Sequence, residues 1–150
     1  MTMTGKEFSD SVATYLANNF GSRGLVVYRE VPAGVSIIGK RRRVDVFCVD
    51  PTKAKALAIE CKFQSTSGTT DEKLFYALED VKAIPMESFL VYGGGGYSAG
   101  IKHTLASSQD AVYAMPTIGE TWELDCRLAM LFGWWDLITS GAEPQKFSLL

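Results

Sequence analysis

The sequence predicts an α/β fold in which a mixed central β-sheet is flanked by α-helices on both faces. Three or four strand-like runs follow one another early in the chain, which favours a hairpin or a meander. Later segments alternate between strand-like and helix-like, which favours parallel strands joined by right-handed crossovers. A length of 150 residues, without internal repeats or long linkers, predicts a single domain over residues 1–150.

The first predicted element is a helix over about residues 5 to 20. Its large apolar side chains recur at every fourth position and share one face: Phe8, Val12, Leu16 and Phe20. Thr4 is the expected N-cap, and Glu7 stands at the spacing of a capping box. Gly21 is the expected end of the helix.

Strand-like and helix-like segments fill the rest of the chain. The early strands are "GLVVYREV" (24–31), "VSIIG" (35–39) beyond a predicted turn at Pro32–Gly34, "RRRVDVFCVD" (41–50) and "KALAIECKF" (55–63). A helix with a Thr69–Glu72 capping box follows and ends at Pro85. The last segments are a strand (88–94), a short helix (98–107), a strand (111–116) and a helix (120–138).

Composition argues against several classes of protein. A formal net charge of −2 and a pI near 5.4 disfavour a surface that is positive throughout, but they are compatible with a local basic stripe. The apolar runs are shorter than a membrane span, and no signal peptide opens the chain. We therefore expect no membrane partner and a cytoplasmic location inside the cell.

Cysteine and histidine are too few and too scattered for a structural zinc site. Cys48, Cys61 and Cys126 contain no C-x-x-C pair, and His103 is the only histidine, so we expect reduced thiols. The glycine-rich run at residues 93–100 lacks the G-K-[ST] ending of a phosphate-binding loop, so no nucleotide cofactor is expected. This run is either a mobile substrate-facing loop or a plain connector.

The strand "ALAIECKFQ" (56–64) presents one apolar and one polar face. Side chains alternate along a strand, so its second face is predicted to carry four residues: Ala58, Glu60, Lys62 and Gln64. Asp45 lies in the preceding core-like strand, with fourteen residues between it and Glu60, and a turn can bring it beside Glu60 and Lys62. Two carboxylates at a sheet end suit Mg²⁺, and a neighbouring ammonium suits phosphodiester hydrolysis. The alternatives are a solvated edge strand for Glu60 and Lys62, and an arginine partner for Asp45.

Asp45 and the Glu60-Cys61-Lys62 triplet resemble the D…(D/E)-x-K signature of the PD-(D/E)XK nuclease superfamily. That group includes restriction endonucleases, some homing endonucleases, Holliday-junction resolvases and DNA-repair nucleases. The element order over about residues 5 to 92 is similar to the common core of that superfamily. The chain departs from the pattern at Val44, where a proline would precede the aspartate.

The resemblance implies a restriction-endonuclease-like core and a Mg²⁺-dependent DNA endonuclease of the homing, restriction or resolvase type, in which Mn²⁺ is expected to substitute. It implies that Asp45, Glu60 and the backbone carbonyl of Cys61 hold the metal. Lys62 is then expected to position or activate the attacking water. The alternative is a non-catalytic nucleic-acid-binding or assembly protein on the same fold.

Two further residues match positions that branches of the superfamily use. Gln64 completes an E-x-K-x-Q string and is expected either to orient Lys62 or the DNA, or to be a loop residue. Glu7 stands where members often carry a glutamate on the first helix, and the resemblance implies a water-mediated or second-metal contact. A capping box alone would also explain Glu7.

The only dense basic run precedes Asp45. It comprises Lys40, Arg41, Arg42 and Arg43. The proposed site implies that some of these residues lie near the scissile phosphate, and we expect the arginines to contact DNA. Lys73, on the first turn of the helix after the E-x-K strand, is a further candidate for phosphate contact. The alternatives are a solvated hairpin edge for the arginines and an ordinary helix-surface lysine.

The predicted helix at residues 120–138 holds more large apolar side chains than one buried face needs. The segment "WELDCRLAMLFGWWDLI" (122–138) contains only four charged residues. We expect its excess apolar surface, including Trp134 and Trp135, to form the interface of a homodimer or homotetramer. The alternative is a wholly buried terminal helix.

Overall fold

The computed structural model describes residues 3–65 and 71–140. Within these ranges the helices are α1 (Gly5–Phe20), α2 (Asp71–Lys82), α3 (Ala99–Ser107), α4 (Trp122–Phe132) and α5 (Trp135–Thr139). The strands are β1 (Val26–Val35), β2 (Arg41–Asp50), β3 (Lys55–Phe63), β4 (Ser88–Gly93) and β5 (Ala111–Tyr113). Single 3₁₀ turns cover Gly21–Arg23 and Pro116–Ile118.

The strands form one mixed sheet in the order β1-β2-β3-β4-β5. The β1–β2 and β2–β3 pairs are antiparallel, whereas β3–β4 and β4–β5 are parallel. The predicted early meander and the later parallel crossovers are both confirmed. This topology leaves β1 and β5 as the two edges of the sheet.

Helices cover both faces of the sheet. Phe89 and Val91 of β4 lie in a core cluster with side chains of α1 and α4. The intervening residues Leu90 and Tyr92 lie in a second cluster with side chains of α2 and α3. The fold is therefore α/β with a mixed central sheet between helices, consistent with a restriction-endonuclease-like core.

The first helix begins as predicted, and its last α-helical residue is Phe20. The Thr4 hydroxyl accepts a hydrogen bond from the Glu7 amide at 3.1 Å, and the Thr4 amide donates to the Glu7 carboxylate at 3.2 Å. After Phe20 the chain adds one 3₁₀ turn instead of stopping at Gly21. The chain changes direction at Gly24, whose φ of 95° is readily adopted only by glycine.

The predicted turn at Pro32–Gly34 and the predicted strand "VSIIG" are wrong. Strand β1 continues to Val35, and Pro32 pairs with Arg43 inside the ladder. The hairpin turn lies at residues 36–40, where the Ser36 amide donates to the Lys40 carbonyl at 2.7 Å. Proline is tolerated in β1 because this strand is an edge of the sheet.

The predicted helix at 120–138 is interrupted. It divides into α4 and α5 at Gly133, which has a left-handed φ of 76°. The amide of Trp134 closes α4 by donating to the Ala129 carbonyl at 2.9 Å. A glycine in this conformation ends a helix although the apolar pattern continues beyond it.

The other predictions about the chain have separate outcomes. All three cysteines are free, and burial raises the pKa of Cys48 to about 12. The Thr69–Glu72 capping box lies outside the described residues. Among the helices that the structure describes, none combines the length and the apolar character needed to cross a membrane.

Candidate active site

The strands β2 and β3 separate at Asp45. Their regular pairing runs from Asp50 opposite Lys55 to Val46 opposite Ile59. One residue beyond Val46, the Asp45 carboxylate accepts a hydrogen bond from the Cys61 amide at 2.8 Å. The side chain of Asp45 therefore takes the place of a backbone acceptor and lies against β3.

A change in strand geometry accompanies this separation. Val44 and Val46 would share a face in a regular strand. Val46, however, packs in the core cluster with side chains of α1 and α4, whereas Val44 packs with Ala58 and Ile84. On the neighbouring strand, Glu30 has a left-handed φ of 56°. The irregular backbone at this level of the sheet turns Asp45 toward β3.

The predicted faces of β3 are confirmed. The apolar face packs against the α1 side of the sheet and comprises Leu57, Ile59, Cys61 and Phe63. Ala58 is fully buried on the opposite side. Further along that side, Glu60 is half-buried and Lys62 is exposed.

The electrostatic state of Glu60 is unusual for a carboxyl group. Desolvation is the largest cause, followed by the negative charge of Asp45, and together they raise the pKa of Glu60 to about 8. The positive charge of Lys62 lowers this pKa, but its effect is smaller. In the part of the chain that the structure describes, Glu60 Oε1 is buried and accepts no hydrogen bond. Two carboxylates cannot donate to one another, so this oxygen requires a proton or a cation.

Arg29 links the site to α1, and sequence reasoning missed it. Its Nε donates to the backbone carbonyl of Asp45 at 2.8 Å, and an Nη donates to the Ser9 hydroxyl at 2.9 Å. It also forms an ion pair with Asp10. The only sequence signal was the charged pair Arg29-Glu30 inside an otherwise apolar strand.

Gln64 is attached to the glycine-rich segment after β4. Its side-chain amide donates to the Gly96 carbonyl at 3.0 Å. Lys62 is held on the same side, because its backbone carbonyl accepts from the Tyr97 hydroxyl at 3.1 Å. Residues 93–97 are therefore joined to the end of β3 and are more than a plain connector.

Glu7 occupies the capping box of α1. Its carboxylate accepts from the Thr4 amide, and no described contact joins it to Asp45, Glu60 or Lys62. The capping box therefore accounts for Glu7, and no described contact supports the expected role at the site.

The arginines of the basic run alternate between the surface and the interior, as side chains do along a strand. Arg41 and Arg43 are exposed, whereas Arg42 is 6% exposed and pairs with Asp80 of α2 at 3.0 Å. The expectation that Arg42 contacts DNA has no support from this placement, because its guanidinium is buried in an intramolecular ion pair. Lys73 is exposed on the first turn of α2.

A comparison with protein families identifies the fold. The model of the PD-(D/E)XK nuclease superfamily domain matches residues 4–135. The chain belongs to the PD-(D/E)XK nuclease superfamily. Comparisons with curated proteins and with solved structures each gave no match. The members of this superfamily are generally nucleases that hydrolyse phosphodiesters and typically use divalent metals, which suggests nuclease activity and a nucleic acid substrate for this chain.

The oxygen donors of this candidate site are compatible with a hard divalent cation. Within the described residues, no group of three or more His, Cys, Asp and Glu side chains is arranged to hold a metal. Mg²⁺, however, usually keeps several waters and needs only one or two carboxylates together with substrate phosphate oxygens. Asp45, Glu60 and the Cys61 carbonyl are the groups that could hold such an ion, and the buried Glu60 oxygen, which accepts no hydrogen bond among the described residues, is compatible with one.

Proposed function

We propose that this chain is a Mg²⁺-dependent DNA endonuclease of the homing, restriction or Holliday-junction-resolvase type, acting inside the cell. The observation that carries the proposal is the Asp45–Glu60 pair, in which a buried carboxylate oxygen accepts no hydrogen bond among the described residues. A buried carboxylate pair is costly unless a proton or a cation offsets its repulsion. An exposed lysine two residues from Glu60 adds the positive charge that phosphodiester chemistry requires.

Each residue has a distinct part in the proposed mechanism. Asp45, Glu60 and the Cys61 carbonyl would hold the metal, which when bound polarises the phosphodiester and lowers the pKa of water. Lys62 would orient the attacking water and offset the negative charge that develops on the phosphorus oxygens. Arg29 fixes the backbone of Asp45, so the carboxylate stays directed toward β3.

The DNA would lie over the same end of the sheet. Arg41 and Arg43 project from β2 shortly before Asp45, and both are exposed. Lys73 is exposed at the start of α2. Guanidinium and ammonium groups around a site contact phosphates without reading sequence, so these residues would set the affinity.

Assembly into a homodimer or homotetramer would place two active sites against two DNA strands. The exposed apolar residues of the terminal segment are Trp122 at 75%, Met130 at 61% and Trp135 at 59% exposure. Trp134 is instead 5% exposed and stacks on Phe20 and Phe132. We infer that Trp135 and its exposed neighbours form the contact between copies, while Trp134 belongs to the core.

Cleavage assays test the proposed chemistry. The protein is incubated with linear, supercoiled and four-way-junction DNA, in Mg²⁺ or in EDTA. We expect cleavage of at least one substrate in Mg²⁺ only, and a loss of about 10²-fold or more in Glu60→Gln and Lys62→Ala. Lys55→Ala, on the same strand, and Glu87→Ala, at an exposed position before β4, are matched controls that should cleave normally.

Two results would overturn the proposed mechanism. One is unchanged cleavage in both Glu60→Gln and Lys62→Ala. The other is DNA binding without cleavage of any substrate in Mg²⁺ or Mn²⁺, which would favour the non-catalytic alternative. Divalent-metal binding by calorimetry distinguishes the alternatives directly, because a non-catalytic binding protein does not require the metal.

A further inference from the structure

The segment at residues 93–97, called here the glycine loop, is hydrogen-bonded to the end of β3 through Gln64. The Gln64 amide donates to the Gly93 carbonyl at 3.2 Å, and the Gly96 amide donates to the Gln64 carbonyl at 2.8 Å. The Gln64 side chain adds a third bond, to the Gly96 carbonyl at 3.0 Å. Three bonds at one residue make this connection specific in geometry.

Tyr97 adds a connection to the residue that carries the ammonium group. Its hydroxyl donates to the Lys62 carbonyl at 3.1 Å, and its ring packs edge-on against Tyr92 with centroids 5.9 Å apart. The Tyr97 side chain is buried, and burial raises the pKa of its phenol, so the phenol remains a hydrogen-bond donor. The peptide of Lys62 is thus fixed from the side of the glycine loop.

Gly94 is needed for the close approach of the loop to β3. It has a φ of 90°, and a Cβ atom added there would lie 2.3 Å from the Gln64 carbonyl oxygen. A backbone atom cannot move away as a side chain can, so any larger residue would push the loop off the strand. At Gly95, by contrast, an added Cβ atom would meet nothing within 4 Å.

The end of β3 needs such support because it lacks a regular partner on its other side. The ladder with β2 stops at Ile59, and beyond it only the Asp45 carboxylate bonds to Cys61 in the described contacts on that side. Lys62 is exposed, so packing does not fix its long side chain. The accuracy with which its ammonium is aimed therefore depends on its backbone.

We propose that the glycine loop is a positioning element for Lys62, in which Tyr97 and Gln64 hold the peptides that carry the lysine. The proposal rests on the proposed nuclease function. It assigns Gln64 to the support of Lys62 and not to contact with DNA. It also gives the glycine run a geometric purpose, which is to let two backbones approach closely.

Kinetics with two variants and two matched controls test the proposal. Tyr97→Phe removes one hydroxyl, and Gly94→Ala introduces the clash with Gln64, while Tyr113→Phe and Gly95→Ala make the same changes at sites outside the contact. We expect the single-turnover rate at saturating DNA to fall about 3–10-fold in Tyr97→Phe, as for one lost hydrogen bond, with KM nearly unchanged. The single-turnover rate should fall further in Gly94→Ala, and both controls should keep the wild-type rate.

A double-variant cycle separates positioning from a general structural role. In a Lys62→Ala background, Tyr97→Phe should cause no additional loss, because the residue through which it acts is gone. A full additional loss would overturn the proposal. If Gly94→Ala does not fold, Tyr97→Phe carries the test alone.

Amide hydrogen exchange supplies a readout that does not depend on cleavage. We expect faster exchange across residues 60–65 in Tyr97→Phe and Gly94→Ala, and wild-type exchange in both controls. If the wild-type protein cleaves DNA and Tyr97→Phe cleaves it equally fast, the positioning role is overturned and the nuclease function is not. Absence of cleavage by the wild-type protein would instead remove the nuclease function, and the positioning role with it, whatever the exchange shows.

Discussion

Replacement of Glu60 by glutamine should make the metal-free protein more stable at alkaline pH. Burial and the charge of Asp45 raise the pKa of Glu60 from 4.5 to about 8, so the folded state keeps a proton that the unfolded state has lost. The stability of the wild-type protein should therefore fall as pH rises from about 4.5 to about 8. Glutamine keeps the shape of the side chain and carries no charge at any pH.

The size of this effect follows from the pKa difference. At about 1.4 kcal/mol per unit, a rise from 4.5 to about 8 has an upper limit of roughly 5 kcal/mol. Because Glu60 is only half-buried, we expect about 1–3 kcal/mol above pH 8. For a chain of 150 residues this corresponds to a rise in Tm of roughly 3–10 °C.

Thermal unfolding in EDTA at pH 5 and pH 9 measures the effect. Glu60→Gln and the wild-type protein should melt within about 1–2 °C of each other at pH 5 and diverge at pH 9, while the exposed-site control Glu87→Gln follows the wild type. Adding Mg²⁺ at pH 9 should raise the Tm of the wild type more than that of Glu60→Gln, since a ligand stabilises the state that binds it. An equal Tm difference at both pH values would refute the conclusion that desolvation and the charge of Asp45 raise the pKa of Glu60.

Three other predictions concern DNA binding, the core and assembly. Alanine at Arg41 or Arg43 should weaken DNA affinity and reduce the slope of log affinity against log salt by about one, measured by fluorescence anisotropy; an unchanged slope places them off the DNA. Alanine at Arg42 should instead cost about 3 kcal/mol or more of stability in denaturant unfolding, because it leaves a buried carboxylate unpaired, and a weaker effect would contradict its burial. Trp135→Glu should dissociate the oligomer in sedimentation and lower Tm only by the stability that association contributes, whereas Trp134→Glu should lower Tm further because it disrupts the core. A wild-type monomer of about 16 kDa would rule out the interface.

The predictable parts of the fold depend on local sequence. Alternation along β3 alone assigned Ala58 to the face that Glu60 and Lys62 share. In the folded chain, Ala58 packs in a different cluster from the apolar residues of the other face of β3. The start of α1 followed from Thr4 and Glu7, since the side chain of each accepts a hydrogen bond from the backbone amide of the other. Such features need no knowledge of distant partners.

The parts that could not be predicted depend on partners far apart in the sequence. Arg42 is separated from Asp80 by 38 positions, and nothing near Arg42 distinguishes it from its exposed neighbours. Arg29 reaches Asp45 across 16 positions and Asp10 across 19. At Gly133 the apolar pattern continues across the break, so the left-handed backbone that ends α4 was hidden by an otherwise helical sequence.

The hydrogen bond between the Asp45 carboxylate and the Cys61 amide affects how an inactive form of the protein should be chosen. Substituting Asp45 by alanine would leave the Cys61 amide without its acceptor, so the same change that removes a proposed metal ligand would also weaken the contact between β2 and β3. Lys62 is exposed, and its side chain can be truncated without disturbing a backbone contact. For trapping an uncut DNA complex, Lys62→Ala is therefore the sound choice, and poor binding by an Asp45 variant would say little about how the intact protein recognises its target.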